Sequence, residues 1–420
     1  MQKPKSQSHK GAAPLGTTAK FQAALCHKAF QPSDPEIIDT ETGEIQKAKD
    51  PASFRIERYI LQSKARQILP NSRTAKCLRY TQKNRTSVDV FRSTAYKRAH
   101  YGGLQTCASV WCCPVCSAKI SERRRAELKA LIDCHTAAGG VVVLVTRTVP
   151  HARTDDLVTL LASISKAEAS YKAHRDYKRV AASAGVVGTV RAVEVTHGYA
   201  NGWHPHVHEL LFLSGAVSIP ALEESLSCIW KAAALRAGLN EPSRAHGLTV
   251  QDGSKAANYA AKWGLESELT QWHKKRGKVE SRTPFDLLRQ ACASVHDPAA
   301  LDSAYAAKLF RDYAEAFHGR HQLQFSRGLK KRYQIEEVSD DELVQKQDSD
   351  AVLLGSISLD DWRLVLKNDF RGPLLEIAAN RGWEGVLLAL QYVRRDLSGE
   401  WLFPESPPPG HQLNRSIENG

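Results

Sequence analysis

Nowhere in the 420 residues do about eighteen apolar side chains follow one another, the least a helix needs to cross the hydrocarbon of a bilayer. The opening MQKPKSQSHKGAAPLG also lacks the apolar stretch of a secretory signal. A cytoplasmic protein with no membrane partner is therefore expected. Acidic residues are the scarcer charge: 45 Asp and Glu face 58 Lys and Arg, leaving +13. A surplus of that sign suits a polyanion such as nucleic acid, although many basic proteins bind none. Without an export signal the nine cysteines do not read as a disulfide framework. Five of them fall between Cys77 and Cys116 and read as reduced thiols, some of them on a metal. Cys26, Cys134, Cys228 and Cys292 have no neighbour at ligand spacing and read as small apolar fillers.

A chain of this length holds roughly two or three domains. Residues 1–53 are polar and proline-containing and read as a disordered arm. Residues 54–120 begin with a basic helical segment carrying Arg55, Arg58, Lys64, Arg66, Arg73, Lys76 and Arg79, then enter the cysteines. Residues 121–278 hold the richest patterning, 279–338 read as a helical extension, and the acidic stretch Ser339 to Asp350 as a linker. A small helical region over 351–402, built on Trp362, Leu364, Leu366, Leu374 and Leu387, and a disordered tail over 403–420 complete the chain.

Within 121–278, VVVLVTRTV (141–149) reads as a buried strand. VVGTVRAVEVT (186–196) and HPHVHELLFL (204–213), joined by HGYANGW, read as a hairpin. Residues 219–238 read as a helix, GLTVQ (247–251) as a short strand, and SKAANYAAKWGLE (254–266) as a helix capped by Ser254. Strand, helix, hairpin, helix, strand, helix is the order of an α+β fold, an antiparallel sheet with helices on one side.

Side chains two apart on a strand share a face, so His206 and His208 present two imidazoles side by side while Val207 faces the core. Glu194, on the preceding strand of the same hairpin, can reach them by cross-strand pairing. Two imidazoles and a carboxylate leave open positions on a divalent cation. An isolated HxH is more often a surface pair, but here three alternating histidines precede the apolar LLFL. His204 shares the face and is a further candidate ligand, restricted by Pro205 after it. On the helix, Tyr259, Lys262 and Glu266 recur at three- and four-residue spacing, which sets a phenol beside an ammonium. A tyrosine nucleophile needs such a cation, since its ordinary pKa is about 10; a YxxK pair alone would equally describe an amphipathic helix.

Taken together, TRTVPH (146–151), HPHVH (204–208) and YAAKW (259–263) resemble the three ordered motifs of HUH endonucleases. CASVWCCPVCSAKI (107–120), WGLESELT (263–270), SRTPFDLL (281–288) and GRHQLQFSRGL (319–329) are similar to plasmid rolling-circle replication initiator proteins within that superfamily. The likeness runs roughly from Cys77 to Leu329. It implies a bacterial protein with an HUH-type sheet flanked by helices. The implied reaction is a metal-dependent nick of one origin strand, leaving a 5′-phosphotyrosyl link and a 3′-hydroxyl primer. By position, His206 and His208 match the paired metal ligands, Glu194 the third ligand, Tyr259 the nucleophile, and Lys262 its neighbouring base or phosphate contact, with Mg²⁺ or Mn²⁺ as the ion. Origin DNA, double- and single-stranded, and a host helicase and polymerase are the implied partners. Where some relatives carry a glutamate four residues before the tyrosine, this chain has Lys255; Asp252, Glu266 or Glu268 are candidates for its role in termination.

Cys113 and Cys116 form a CPVC knuckle, Cys107 lies upstream, and Cys77 can complete four thiolates on a structural Zn²⁺, with Cys112 and His100 also qualifying as the fourth ligand. SYKAHRDYKRV (170–180) and SRGLKKRY (326–333) interleave aromatic and basic residues. That composition makes Lys172, Arg175, Lys178, Arg327 and Lys330 candidate DNA contacts. The rival readings are an HUH transposase or relaxase, and a zinc-ribbon DNA-binding regulator without chemistry.

Overall fold

Short runs rich in β-branched and aromatic residues become strands, and the described residues form three sheets. In a computed structural model, residues 36–38, 45–47, 51–94, 98–252, 281–292, 302–345 and 350–395 are described. Two short strands, β1 (Glu36–Ile38) and β2 (Ile45–Lys47), pair antiparallel ahead of α1 (Pro51–Ile68) and α2 (Arg73–Lys76). Pro70 stops the first helix well short of the expected Tyr80, because the residue before a proline is pushed out of the helical region. Strands β3 (Ser87–Ser93) and β4 (Arg98–Gly102) follow. Then come α3 (Pro114–Ala137), β5 (Val141–Arg147), α4 (Leu157–Ala173) and α5 (Arg175–Ser183). The hairpin β6 (Val186–Gly198) and β7 (Gly202–Leu213) leads to α6 (Ile219–Arg236) and β8 (Leu248–Asp252). The chain continues through β9 (Ser281–Arg282), α7 (Pro284–Cys292), α8 (Ser303–Ala316), β10 (Leu323–Phe325), α9 (Leu329–Arg332) and α10 (Asp340–Gln345). It ends with β11 (Ala351–Ser358), α11 (Leu359–Lys367) and α12 (Arg371–Arg395), the last broken at Gly382.

The larger sheet has the order β10-β6-β7-β5-β8, with β9 on the outer edge of β6, and every pairing in it is antiparallel. The expected strand and helix order over 141–252 is present. Helices cover both faces of this sheet, however, not one. Val143, Val145, Val207 and Leu211 pack on Leu160 and Ile164 of α4 and on Leu226 and Trp230 of α6. Val142, Leu144, Leu210 and Phe212 pack on Leu128, Leu131 and Ile132 of α3 and on Leu329. The reason lies in β5, where Val142, Val143, Leu144 and Val145 are all buried, so both sides of the strand need cover.

The smaller sheet, β11-β3-β4, joins the two ends of the described chain. β11 runs antiparallel along the whole of β3. Val88, Val90, Tyr101 and Ile357 share a core with Trp362 and Val365 of α11 and Leu374 and Val386 of α12. Arg55 of α1 pairs with Glu376, Arg371 donates to Gln62 Oε1 (2.7 Å), and Tyr101 donates to the Arg371 carbonyl (2.7 Å). The region expected as a separate helical C-terminal unit thus begins with a strand and closes on the N-terminal element, since neither half can bury Val88, Val90 and Ile357 alone. Leu61 and Ile68 of α1 also join Phe285, Phe310, Val195 and Trp203 in a core that ties this unit to the base of the hairpin. Among the described residues no helix is long and apolar enough to cross a membrane.

Candidate active site

The hairpin that carries the histidines turns at Gly202, whose φ of +72° and whose approach to the Arg153 backbone, 2.9 Å from an added Cβ, leave no room for a side chain. From that turn the register sets Glu194 opposite His206, Ala192 opposite His208 and Thr196 opposite His204. His208 Nε2 lies 3.4 Å from Glu194 Oε2, and His208 Nδ1 is hydrogen-bonded to Thr146 Oγ1 of β5 at 3.0 Å. The His206 and His208 rings are parallel to within 6° at 5.8 Å. His204 continues the row at 4.0 Å from His206, and His151, just past β5, stacks on His204 at 4.5 Å. Four imidazoles therefore line one face, with Glu194 beside the inner two. The fourth, His151, escaped single-residue reading; its only signal was its place in TRTVPH.

Burial, helped by the neighbouring His204 and His208 and opposed by Glu194, pushes the His206 pKa down to about 3. Burial and His151 push His204 to about 4. Neutral imidazoles with free lone pairs are what a divalent cation requires. Among the described residues, the group whose ligand atoms all lie within 4.8 Å of one another is the cysteine set, and not His206, His208 and Glu194.

The opposite face of the same strands holds a buried ion network. Arg147 donates to Glu168 (2.6 and 3.0 Å) and Glu209 (2.9 Å), Arg191 reaches Glu168 (3.1 Å), and Lys172 reaches Glu209 (2.5 Å). The Arg147 guanidinium also sits 4.9 Å from the Tyr171 ring centroid. Burial alone would lower its pKa, but Glu168 and Glu209 hold it well above the usual value. Glu209 follows His208 directly, so the network fixes the strand that carries the histidines.

Cys77, Cys107, Cys113 and Cys116 meet in a buried cluster with sulfur separations of 3.4 Å (Cys77–Cys116), 3.7 Å (Cys107–Cys116) and 3.8 Å (Cys113–Cys77). Tetrahedral Zn–S bonds of about 2.3 Å give an edge of roughly 3.8 Å. Burial opposes ionisation of Cys113, yet hydrogen bonds from Cys107, Cys116 and Cys77 outweigh it and hold that thiol well below its ordinary value. Gln62 Nε2 and the Ser109 backbone N–H also point at cluster sulfurs. Cys112 is half-buried outside the group, and His100 stacks on Phe91 instead. Cys134, Cys228 and Cys292, expected as apolar fillers, are exposed, because they fall on outward faces of their helices; Cys26 lies outside the described residues.

Tyr259 and Lys262 fall in 253–280, outside the described residues, as do Lys255, Glu266 and Glu268. The five candidate DNA contacts divide. Arg175, Lys178 and Arg327 are exposed. Lys172 is held by Glu209 and the Tyr177 hydroxyl, and the buried Lys330 by Glu127 over the Phe325 ring. These two ammonium groups are spent inside the protein, which a composition of alternating aromatic and basic residues could not reveal.

Residues 102–217, which hold three of the four clustered cysteines, all four stacked histidines and Glu194, match the model of a family described as Replication protein. The chain is similar to replication proteins. "Protein rep" of Streptomyces lividans is 26% identical over 351 residues, 67% of this chain and 76% of that protein. A "Neomycin resistance protein" of Streptomyces cyanogenus is 31% identical over 150 residues, 30% of this chain and 34% of that protein. No solved structure matches.

Proposed function

We propose that the chain initiates rolling-circle replication of a plasmid or phage by nicking one strand at the double-strand origin. The observation that carries this reading is the facing of Glu194 by His206 and His208 on one hairpin inside the replication-protein match. His206, His208 and Glu194 would hold Mg²⁺ or Mn²⁺, which when bound polarises the scissile phosphate. Thr146 fixes the His208 ring so that its Nε2 faces Glu194. Tyr259 attacks phosphorus, Lys262 in its free-amine form takes the phenolic proton, and the P–O3′ bond breaks as Lys262 returns that proton to the departing 3′ oxygen. A tyrosyl phosphodiester to the 5′ end and a free 3′-hydroxyl result, and the hydroxyl primes synthesis by a host polymerase with a host helicase opening the duplex. Cys77, Cys107, Cys113 and Cys116 would hold a structural Zn²⁺ that anchors α1 and α3 together, with Gln62 and Cys113 in direct contact.

The test is incubation of labelled single-stranded origin DNA with the protein and Mn²⁺, wild type against Tyr259→Phe, read by denaturing gel and peptide mass spectrometry. A covalent adduct on Tyr259 that the variant loses is the expected outcome. An adduct in both moves the nucleophile to another residue. No metal-dependent cleavage at all leaves the DNA-binding regulator.

A further inference from the structure

The outer edge of β6 is interrupted beside the candidate metal ligands. β10 pairs with Val190, Arg191 and Ala192, β9 with His197 and Gly198, and among the described residues no strand covers 193–196 between them. A small cleft, open at its mouth, occupies the gap and has Glu194 on one wall. Trp111, Phe285 and Tyr313 supply its aromatic surface. Trp111 is pinned there by its indole N–H on the Arg320 carbonyl (2.7 Å) and by the Phe317 ring at 4.5 Å.

Among the described residues, two that line this cleft carry a buried polar atom with no hydrogen-bond partner. Ser117 is fully buried on the first turns of α3, and its Oγ is unsatisfied. Gln322 Oε1, just before β10, is buried and unsatisfied as well. A buried polar group left unpaired costs on the order of 1–3 kcal/mol, so two of them in one aromatic-walled cleft point to a ligand that satisfies both. The lining holds no Lys or Arg to pair with a phosphate, whereas an uncharged ring can stack on the aromatic walls.

We propose that this cleft receives one unstacked base of single-stranded DNA, adenine or cytosine, flanking the scissile phosphate. The reading rests on the nicking function above and assigns that site its base specificity. Gln322 Oε1 accepts from the exocyclic amine, and the Ser117 hydroxyl donates to the adjacent ring nitrogen. Thymine has no exocyclic amine, and guanine, whose amine sits at C2, carries O6 where the adenine amine lies and would set it against the amide oxygen.

A pool of single-stranded oligonucleotides with randomised bases, incubated with the full chain and Mn²⁺ and sequenced at the nicked ends, tests this. The wild type should favour adenine or cytosine roughly tenfold at one position beside the nick, the discrimination one good base-edge contact supplies. Gln322→Ala should flatten the preference at that position alone, and Ser117→Ala, which removes a single oxygen, should weaken it there. Identical profiles for all three proteins, or a preference for thymine or guanine at the affected position, overturn the cleft assignment and leave the nuclease intact. No metal-dependent cleavage by the wild type overturns the nuclease reading and this assignment with it.

Discussion

Thr146 makes the smallest contribution to the site that can be tested cleanly. Its hydroxyl is hydrogen-bonded to His208 Nδ1, and removing such a partner of a metal-binding histidine lowers metal affinity by about 10–100-fold. Thr146→Val should therefore raise the Mn²⁺ concentration for half-maximal nicking by that factor, with little change in rate at saturating metal. On the other face, Arg147→Met leaves the buried Glu168 with Arg191 alone and Glu209 with Lys172 alone. Breaking a buried pair in this way costs about 3–5 kcal/mol, and urea unfolding should show the lost stability without any change in the metal requirement. The two faces were not equally legible in the sequence. His206, His208 and Glu194 follow from the two-residue period and a hairpin register, both of which are local. The partners of Arg147 lie 21 and 62 residues away, and nothing near a lone arginine in an apolar strand names them. Lys172 and Lys330 were legible as basic but not as already paired, because the carboxylates that hold them belong to other elements.

The cysteine cluster connects α1, the turn after α2, the loop before α3 and α3 itself. Four thiols at these separations are stable together only with a cation among them or with most of their protons retained. Purified protein should carry one zinc per chain. Chelation, or Cys113→Ser, should release it and lower the melting temperature by on the order of 10 °C, the equivalent of several kcal/mol. Metal content near zero with an unchanged melting curve would rule the zinc out. The CPVC knuckle made the cluster visible in the sequence, and the buried positions of Cys77 and Cys107 complete it. Strands β3, β4 and β11 were not visible, since SVDVFRS has too few apolar residues to outweigh its polar ones and the pairing that stabilises it comes from the opposite end of the described chain.

For the whole molecule, the pairing of β11 with β3 makes the N-terminal element and the C-terminal region one folding unit. A chain that ends before residue 350 would expose Val88, Val90 and Tyr101, which share their core with α11 and α12. Such a truncation should become sensitive to protease within 51–113 and lose its zinc, as followed by limited proteolysis and metal analysis. If 51–113 stayed protected, the two ends would be independent. The larger sheet was legible because its strands are neighbours in sequence. The smaller one was not, because its partners meet only after the rest of the fold has intervened.

That separation has a temporal side. Ser93 and Asp350, hydrogen-bonded at 2.7 Å, are 257 residues apart. A ribosome adding roughly 5–20 residues per second takes about 10–50 s to cover that interval. Throughout it, one edge of β3 is an open template for any other nascent chain on the same message. If the four thiols capture zinc once Cys116 has emerged, they hold this segment in place while it waits for β11, and withholding zinc during synthesis should then lower the share of chains that reach the native form.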